Sequence, residues 1–239
     1  MAKLQLPSIL TEETWFYKDR PQDQARLKPF LNKPYISYSS VDSYFNYPED
    51  FIKQKFAKIK LPDGIYGIFG TYCGTALEEG VFPENPHNFY GQENMNLEEL
   101  RGENSEFERM IIIDRGEYFI IGFIDRLAPT ENGVHVRDQK TGGKDKEAKY
   151  KSSDYIQVTL YSHALELEGL NVTDTDVWFI RRVGSHVNPP LGISKEQFSI
   201  PIEYNKETVK YALDKVDKAV KEISDLYQTY VKVFGSKNK

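Results

Sequence analysis

An α/β or α+β fold is predicted by three features of this 239-residue sequence. Helical spacing dominates residues 39–101, strand-like runs follow over 110–141, and a long charged amphipathic stretch closes the chain over 206–233. Residues 1–34 carry Pro7, Pro21, Pro29 and Pro34 among mixed charges and read as an irregular N-terminal arm with one short helix. Ser39 with Asp42 three residues later opens a helix that continues through Val41, Tyr44 and Phe45 and ends or kinks at Pro48. Gly70 and Gly74 are expected to flank a turn into a second helix through Leu77 and Glu78, and Leu97–Arg101 forms a third that stops at Gly102. Met110–Asp114 and Glu117–Leu127 read as strands of a hairpin turning at Arg115-Gly116, with a third strand over Gly133–Thr141. Residues 153–168 have helical pattern with Ser152 or Ser153 as cap, and Val177–Arg181 and Phe198–Ile202 read as strands. The last helix carries Val209, Leu213, Val216, Val220, Ile223 and Leu226 on one stripe. No repeat or flexible linker divides the chain, so residues 1–239 are expected to form a single domain.

Composition narrows the function. The chain is 39% hydrophobic and 28% charged, which is that of a soluble globular protein rather than a disordered one. A net charge of −5 excludes a broadly basic nucleic-acid binder, though not a local basic patch. One cysteine, Cys73, excludes an internal disulfide, a four-cysteine zinc site and an iron–sulfur cluster held by this chain alone; it reads as a packed thiol. No apolar run approaches the ~20 residues of a membrane span, and MAKLQLPSIL lacks a signal-peptide core, so a cytoplasmic setting without membrane association is expected.

Charge at strand ends is the informative pattern. In FIIGFIDR, alternation places Phe119, Ile121, Phe123 and Asp125 on one face. In VHVRDQKTG it places Val134, Val136, Asp138 and Lys140 together. Both apolar stripes turn charged at their last positions, where an ionised carboxylate is costly unless paired or bound to metal. Two carboxylates and a lysine at adjacent strand ends could hold a divalent cation, and oxygen-only ligands suit Mg²⁺ or Mn²⁺. The same residues are also compatible with a surface Asp125–Arg126 ion pair and exposed turn residues before Gly142-Gly143.

The ordered set resembles the PD-(D/E)XK nuclease superfamily, in its RecB-like exonuclease branch. Ser37-Tyr38-Ser39-Ser40-Val41 with Tyr44, Pro48 and Phe51 matches the branch's first helix, and Gly74 with Glu78 matches its metal-ligand helix. Gly122 to Arg126 matches its G-x-x-D-R strand, Asp138-Gln139-Lys140-Thr141-Gly142 its D-x-K-T-G strand, and Gln157 with Tyr161 its Q-x-x-x-Y helix. These motifs fall in the family's order over residues 35–182. Tyr47 stands where many relatives carry a cysteine, so the iron–sulfur version of the fold is not expected.

The resemblance implies a restriction-endonuclease-like α/β core, with a central mixed sheet flanked by helices. It further implies Mg²⁺- or Mn²⁺-dependent phosphodiester hydrolysis. Asp125, Asp138 and Glu78 would be metal ligands, with Glu79 one residue away as the competing choice for the third. Lys140 would orient or help deprotonate the attacking water, Gln157 would lie near that water or the scissile strand, and Tyr161 would brace the site or the DNA. Arg126 is expected to pair with a carboxylate. Lys144, Lys146, Lys149 and Lys151 either track phosphates or form a solvated loop. His87, His135, His163 and His186 lack ligand spacing.

The implied activity is an end-dependent exonuclease of recombination, repair or replication, standing alone as bacteriophage relatives do and acting in the host cytoplasm if phage-encoded. DNA with single-stranded or frayed ends is the expected partner, with Tyr38, Tyr44, Phe45 and Tyr161 available to stack on unpaired bases. The alternatives are a non-catalytic DNA-binding module of the same fold and a restriction-type endonuclease.

Overall fold

Over residues 35–185 and 190–235, which the computed structural model describes, the chain adopts an α/β architecture whose strands divide between two sheets. The arm expected over residues 1–34, and His186, lie outside the described residues. In chain order the elements are β1 (Tyr35–Ile36), α1 (Tyr38–Asn46), α2 (Pro48–Phe51), a π-helical turn (Ile52–Phe56), α3 (Ile65–Glu79) and α4 (Leu97–Arg101). Four strands follow: β2 (Arg109–Asp114), β3 (Phe119–Ile124), β4 (Arg126–Thr130) and β5 (Gly133–Gly142). The chain then forms α5 (Glu147–Tyr150), α6 (Gln157–Leu167), β6 (Val172–Val183), β7 (Gly192–Pro201) and α7 (Lys206–Phe234). Among the described residues no helix is long and apolar enough to cross a membrane.

Several boundaries differ from the sequence expectation, each for a local reason. Ser37, rather than Ser39, caps α1, its hydroxyl accepting the Ser40 N–H at 3.3 Å. Gly70 and Gly74 lie inside α3 instead of beside a turn, because Phe69, Tyr72, Cys73, Ala76 and Leu77 bury a continuous face that outweighs the glycines' poor helix propensity. The expected helix over 153–168 starts only at Gln157; Ser152 accepts the Asp154 N–H at 3.2 Å in a turn instead of capping a helix. The long strand-like run 117–127 breaks at Asp125 into β3 and β4, which belong to different sheets.

The chain divides into two compact units. The first comprises described residues up to Leu61, Ile112–Gly122, and the chain from Leu213 onward. Here β1 runs parallel to β3, with Ile36 beside Ile120. Asp217 of α7 takes both Arg115 guanidinium contacts (3.2 and 2.6 Å) and the Tyr118 hydroxyl (2.5 Å), fixing the hairpin turn that follows β2. Phe56 packs edge-on between Phe51 (5.9 Å) and Tyr227 (5.1 Å). The buried stripe of α7 within this unit is Val216, Ala219, Val220, Ile223 and Tyr227. It shares Val216, Val220 and Ile223 with the stripe read in the sequence and adds Ala219 and Tyr227, while Leu213 and Leu226 are half-buried.

The second unit holds α3–α6 and the sheet ordered β4-β5-β6-β7. β5 is antiparallel to β4 and parallel to β6, so Asp138 stands beside Val177 and Lys140 beside Phe179. α3 buries Phe69, Tyr72, Cys73 and Leu77 in a cluster with Phe89, Met95, Ile180, Leu191 and Ile193. Alternation sends Val136 and Asp138 to the face opposite Arg137. Arg137 meets buried Asp176 of β6 through two hydrogen bonds, at 2.8 and 2.7 Å. His135 Nε2 (3.1 Å) and the Ser199 hydroxyl (2.7 Å) complete that carboxylate's partners.

Burial raises the Asp176 pKa, but hydrogen bonds from His135, Arg137 and Ser199, together with the Arg137 charge, outweigh it and hold the group far below the usual carboxylate range. A depressed native pKa contributes stability above the unfolded value and loses it as pH falls below about 4. Asp176→Ala is therefore expected to cost about 3–5 kcal/mol at neutral pH and to flatten the acid limb of the stability profile. Thermal denaturation followed by circular dichroism from about pH 3 to pH 7 reads both effects.

Candidate active site

The break between β3 and β4 is what delivers Asp125. A carboxylate in mid-strand would have no cation and no free N–H to meet. At the break, Asp125 Oδ2 instead accepts the Gln139 N–H of β5 at 2.6 Å. That bond places Asp125 against the one-residue step between Asp138 and Lys140. Asp138 is 0% exposed. Its Oδ2 accepts the Tyr155 hydroxyl at 2.6 Å and meets Lys140 Nζ at 2.5 Å, while its Oδ1 is buried with no hydrogen-bond partner.

Electrostatics follow from this crowding. Burial and the facing Asp138 carboxylate push Asp125 well above the ordinary carboxylate range, against the pull of Lys140 and the Gln139 N–H. Burial works against the Lys140 ammonium, but Asp138 and Asp125 outweigh it and hold the group above its ordinary value. Lys140 therefore stays charged.

A cavity of about 300 Å³ opens on this cluster, with Asp125, Gln139, Lys140, Thr141, Glu78 and Glu108 in its wall. Glu78 arrives on the last turn of α3. Gly70 lets that helix close on β5: a Cβ there would stand 3.3 Å from Thr141 Oγ1. Gly80, at φ +78°, ends the helix, and the Arg101 guanidinium donates to the Leu77 carbonyl at 2.5 Å and to the Glu78 carbonyl. Glu78, and not Glu79, is in the cavity wall.

Two residues of this cluster escaped sequence reading. Glu108 precedes β2 in left-handed backbone (φ +51°), a conformation that no periodicity announces. Desolvation and the Glu78 and Asp138 carboxylates raise its pKa, against Lys140. Tyr155 falls within the helix expected over 153–168, and only its place two residues before Gln157 marks it in the sequence.

The remaining candidates are sorted by the fold. Gln157 bridges the hydroxyls of Tyr161 (2.6 Å) and Tyr155 (3.0 Å). Tyr161 and Tyr38 are buried, so neither offers a ring face to unpaired bases as the sequence suggested; Tyr44 and Phe45 belong to the first unit. Arg126, expected to pair with a carboxylate, instead donates from Nε to the Arg101 carbonyl (2.8 Å) and to Ser105 (3.1 Å). Lys151 pairs with Glu147 at 2.5 Å rather than standing ready for phosphate. Burial pushes the Cys73 thiol up to about 12, which makes it an inert packed group.

Among the described residues no three His, Cys, Asp or Glu side chains converge closely enough to close a metal sphere by themselves. The donor set nonetheless fits a hard divalent cation that keeps part of its water. Asp138 Oδ1 lacks a partner, Asp125 lies beside it, and Glu78 and Glu108 share the cavity wall.

The sequence matches the PD-(D/E)XK nuclease superfamily over residues 77–232, more than half of its length, and the chain belongs to that superfamily. Nucleases of this superfamily generally use divalent metals. A solved structure from Eubacterium rectale, which carries the provisional name of exonuclease, has a TM-score of 0.50. It is 12% identical over 90% of this chain and 87% of its own, a likeness of fold. The crystal structure of SSO0001 is 18% identical over 77% of this chain and 76% of its own, with a TM-score of 0.38. No curated protein matches the sequence.

A carboxyl whose native pKa is raised favours the folded state while protonated and penalises it once ionised. The metal-free protein is therefore expected to lose thermal stability as pH climbs above about 4, the unfolded value for Asp125. Asp125→Asn reduces that loss, leaving the smaller part that the raised Glu108 contributes, and Mn²⁺ offsets it more in the parent than in the variant. Melting curves with and without the ion, from about pH 4 to pH 8, test the sign.

Proposed function

We propose that this chain is a Mg²⁺- or Mn²⁺-dependent deoxyribonuclease that hydrolyses phosphodiester bonds, acting as an exonuclease at DNA ends. The observation that carries it is Asp138: a fully buried carboxylate with one unpartnered oxygen, beside a second carboxylate and a charged lysine. In the proposal Asp125 and Asp138 hold the cation and Glu78 reaches it from the cavity wall. When bound, the cation would neutralise phosphate charge and acidify the attacking water. Lys140, held protonated, orients that water and faces the negative charge that develops on the phosphate. Its ammonium has no lone pair with which to take a proton, so orientation and charge are its contribution. Gln157 and Tyr161 brace the carboxylate side of the site.

Three features support action at ends. The sequence carries no G-x-x-x-x-G-K-[ST] motif for an ATP-driven motor, and its net charge of −5 disfavours broad capture of intact duplex. The fold is shared with a protein provisionally named an exonuclease. Single-stranded or frayed termini remain the proposed substrate. The setting proposed is that of the RecB-like branch: DNA recombination, repair or replication in the cytoplasm, the host's if the chain is phage-encoded. The whole chain is taken as one nuclease domain, since the family match over 77–232 runs through parts of both units.

Lys140→Ala and Asp138→Ala are each expected to lower cleavage of a linear oligonucleotide at least about a hundred-fold while leaving the circular dichroism spectrum intact. Glu78→Gln should raise the Mn²⁺ concentration needed for half-maximal rate, and Glu79→Gln should leave it unchanged. End-labelled linear DNA should shorten progressively while a covalently closed circle persists. Rapid linearisation of the circle would point to an endonuclease, and folded Lys140→Ala cutting at the parent rate would remove the assignment of the site.

A further inference from the structure

The Gln157–Tyr161 pair does not hydrogen-bond Asp138. Gln157 meets Tyr161 at 2.6 Å and Tyr155 at 3.0 Å, and the Tyr155 hydroxyl alone continues to Asp138 Oδ2, at 2.6 Å. We propose that Tyr155 is the positioning residue that fixes the Asp138 carboxylate with Oδ1 turned to the cation. The proposal rests on the metal-dependent nuclease reading of the same site.

A carboxylate in a closed space settles its two oxygens according to the donors around it. Both donors to Asp138 reach the same oxygen: the Tyr155 hydroxyl and Lys140 Nζ, at 2.6 and 2.5 Å. The other oxygen has none, although the residue is 0% exposed. A half-turn only exchanges the two equivalent oxygens, but a smaller turn would share the two donors between them, which a free group would favour because an unpaired buried acceptor is unfavourable. Something must hold it in the poorer orientation.

Lys140 is ill suited to do so alone. Its ammonium ends a flexible four-carbon stem with three rotatable donors, and could follow either oxygen. Tyr155 cannot follow. Its ring is 4% exposed and packs edge-on against Tyr150 at 5.1 Å, and Tyr150 in turn meets Phe179 of β6 at 5.7 Å. A rigid phenol anchored in the core offers its proton from one direction. Asp138 Oδ2 and Gln157 Oε1 are both within reach of the one phenolic proton, at 2.6 and 3.0 Å, and the shorter contact is to the carboxylate, while Gln157 turns its Nε2 to the Tyr161 hydroxyl. Partners of this kind behind a metal-binding group typically change metal affinity 10–100-fold.

The test is Mn²⁺ binding to the full chain by isothermal titration without DNA, paired with steady-state cleavage of a single-stranded oligonucleotide. Tyr155→Phe keeps the ring and its packing and removes only the hydroxyl. It is expected to weaken Mn²⁺ binding about tenfold or more and to lower kcat with KM for the oligonucleotide unchanged. A ring needed only for packing would move neither. Parent-like Mn²⁺ affinity in folded Tyr155→Phe overturns the positioning role. A parent that binds Mn²⁺ but cuts no DNA removes the nuclease reading, while the tenfold loss in Tyr155→Phe still supports the positioning.

Discussion

The second unit is organised around one unfavourable group that it does not neutralise completely. Asp138 is a buried carboxylate on a central strand, and the donors that surround it satisfy only Oδ2. Removing such a charge from water costs several kcal/mol unless its lone pairs are met. Its neighbours are arranged about that deficit. Lys140 lies two residues along the same strand, Tyr155 comes from the turn before α6, and Asp125 is delivered by the break between β3 and β4. None of these placements follows from packing alone, because each carries a polar atom into a space that aliphatic side chains could fill more cheaply.

The charges that meet at the cavity are unevenly balanced. Asp125, Asp138, Glu78 and Glu108 confront the single ammonium of Lys140. Burial first, and then the facing carboxylates, raise the pKa values of Asp125 and Glu108. Burial works against the Lys140 ammonium, but the attraction of Asp138 and Asp125 outweighs it and holds the group above its ordinary value. Glu108 adds to this pressure from strained backbone, at φ +51°.

How much could be read in advance depended on whether a feature was local. Strand alternation sufficed to bring Asp138 and Lys140 to one face of β5, and the resemblance to a known family singled out Glu78, which the fold puts in the cavity wall while leaving Glu79 out of it. The helix at Leu97–Arg101 and the long C-terminal helix were clear from periodicity and from the stop at Gly102. The break at Asp125 was not, because FIIGFIDR reads as uninterrupted alternation and only pairing in three dimensions assigns β3 and β4 to different sheets. Helix α3 was cut short in the sequence view by its glycines, whereas its buried aromatic face keeps it continuous. Glu108 and Tyr155 depend on a left-handed turn and on a hydrogen bond across 17 residues, and neither leaves a periodic trace.

The opposite faces of β5 also act as a proofreader of strand alignment. In the native register Arg137 faces Asp176 of β6, and the neighbouring Asp138 faces apolar Val177. Sliding β5 by a single residue would set Asp138 against Asp176, two like charges in a buried parallel pair, and would turn Arg137 onto the side that holds Asp125. Parallel strands joined by a helical crossover must find each other late and over a long stretch of chain. A slip in that direction would therefore carry an electrostatic penalty that the native register avoids. The alternation that makes the site also makes its assembly self-correcting.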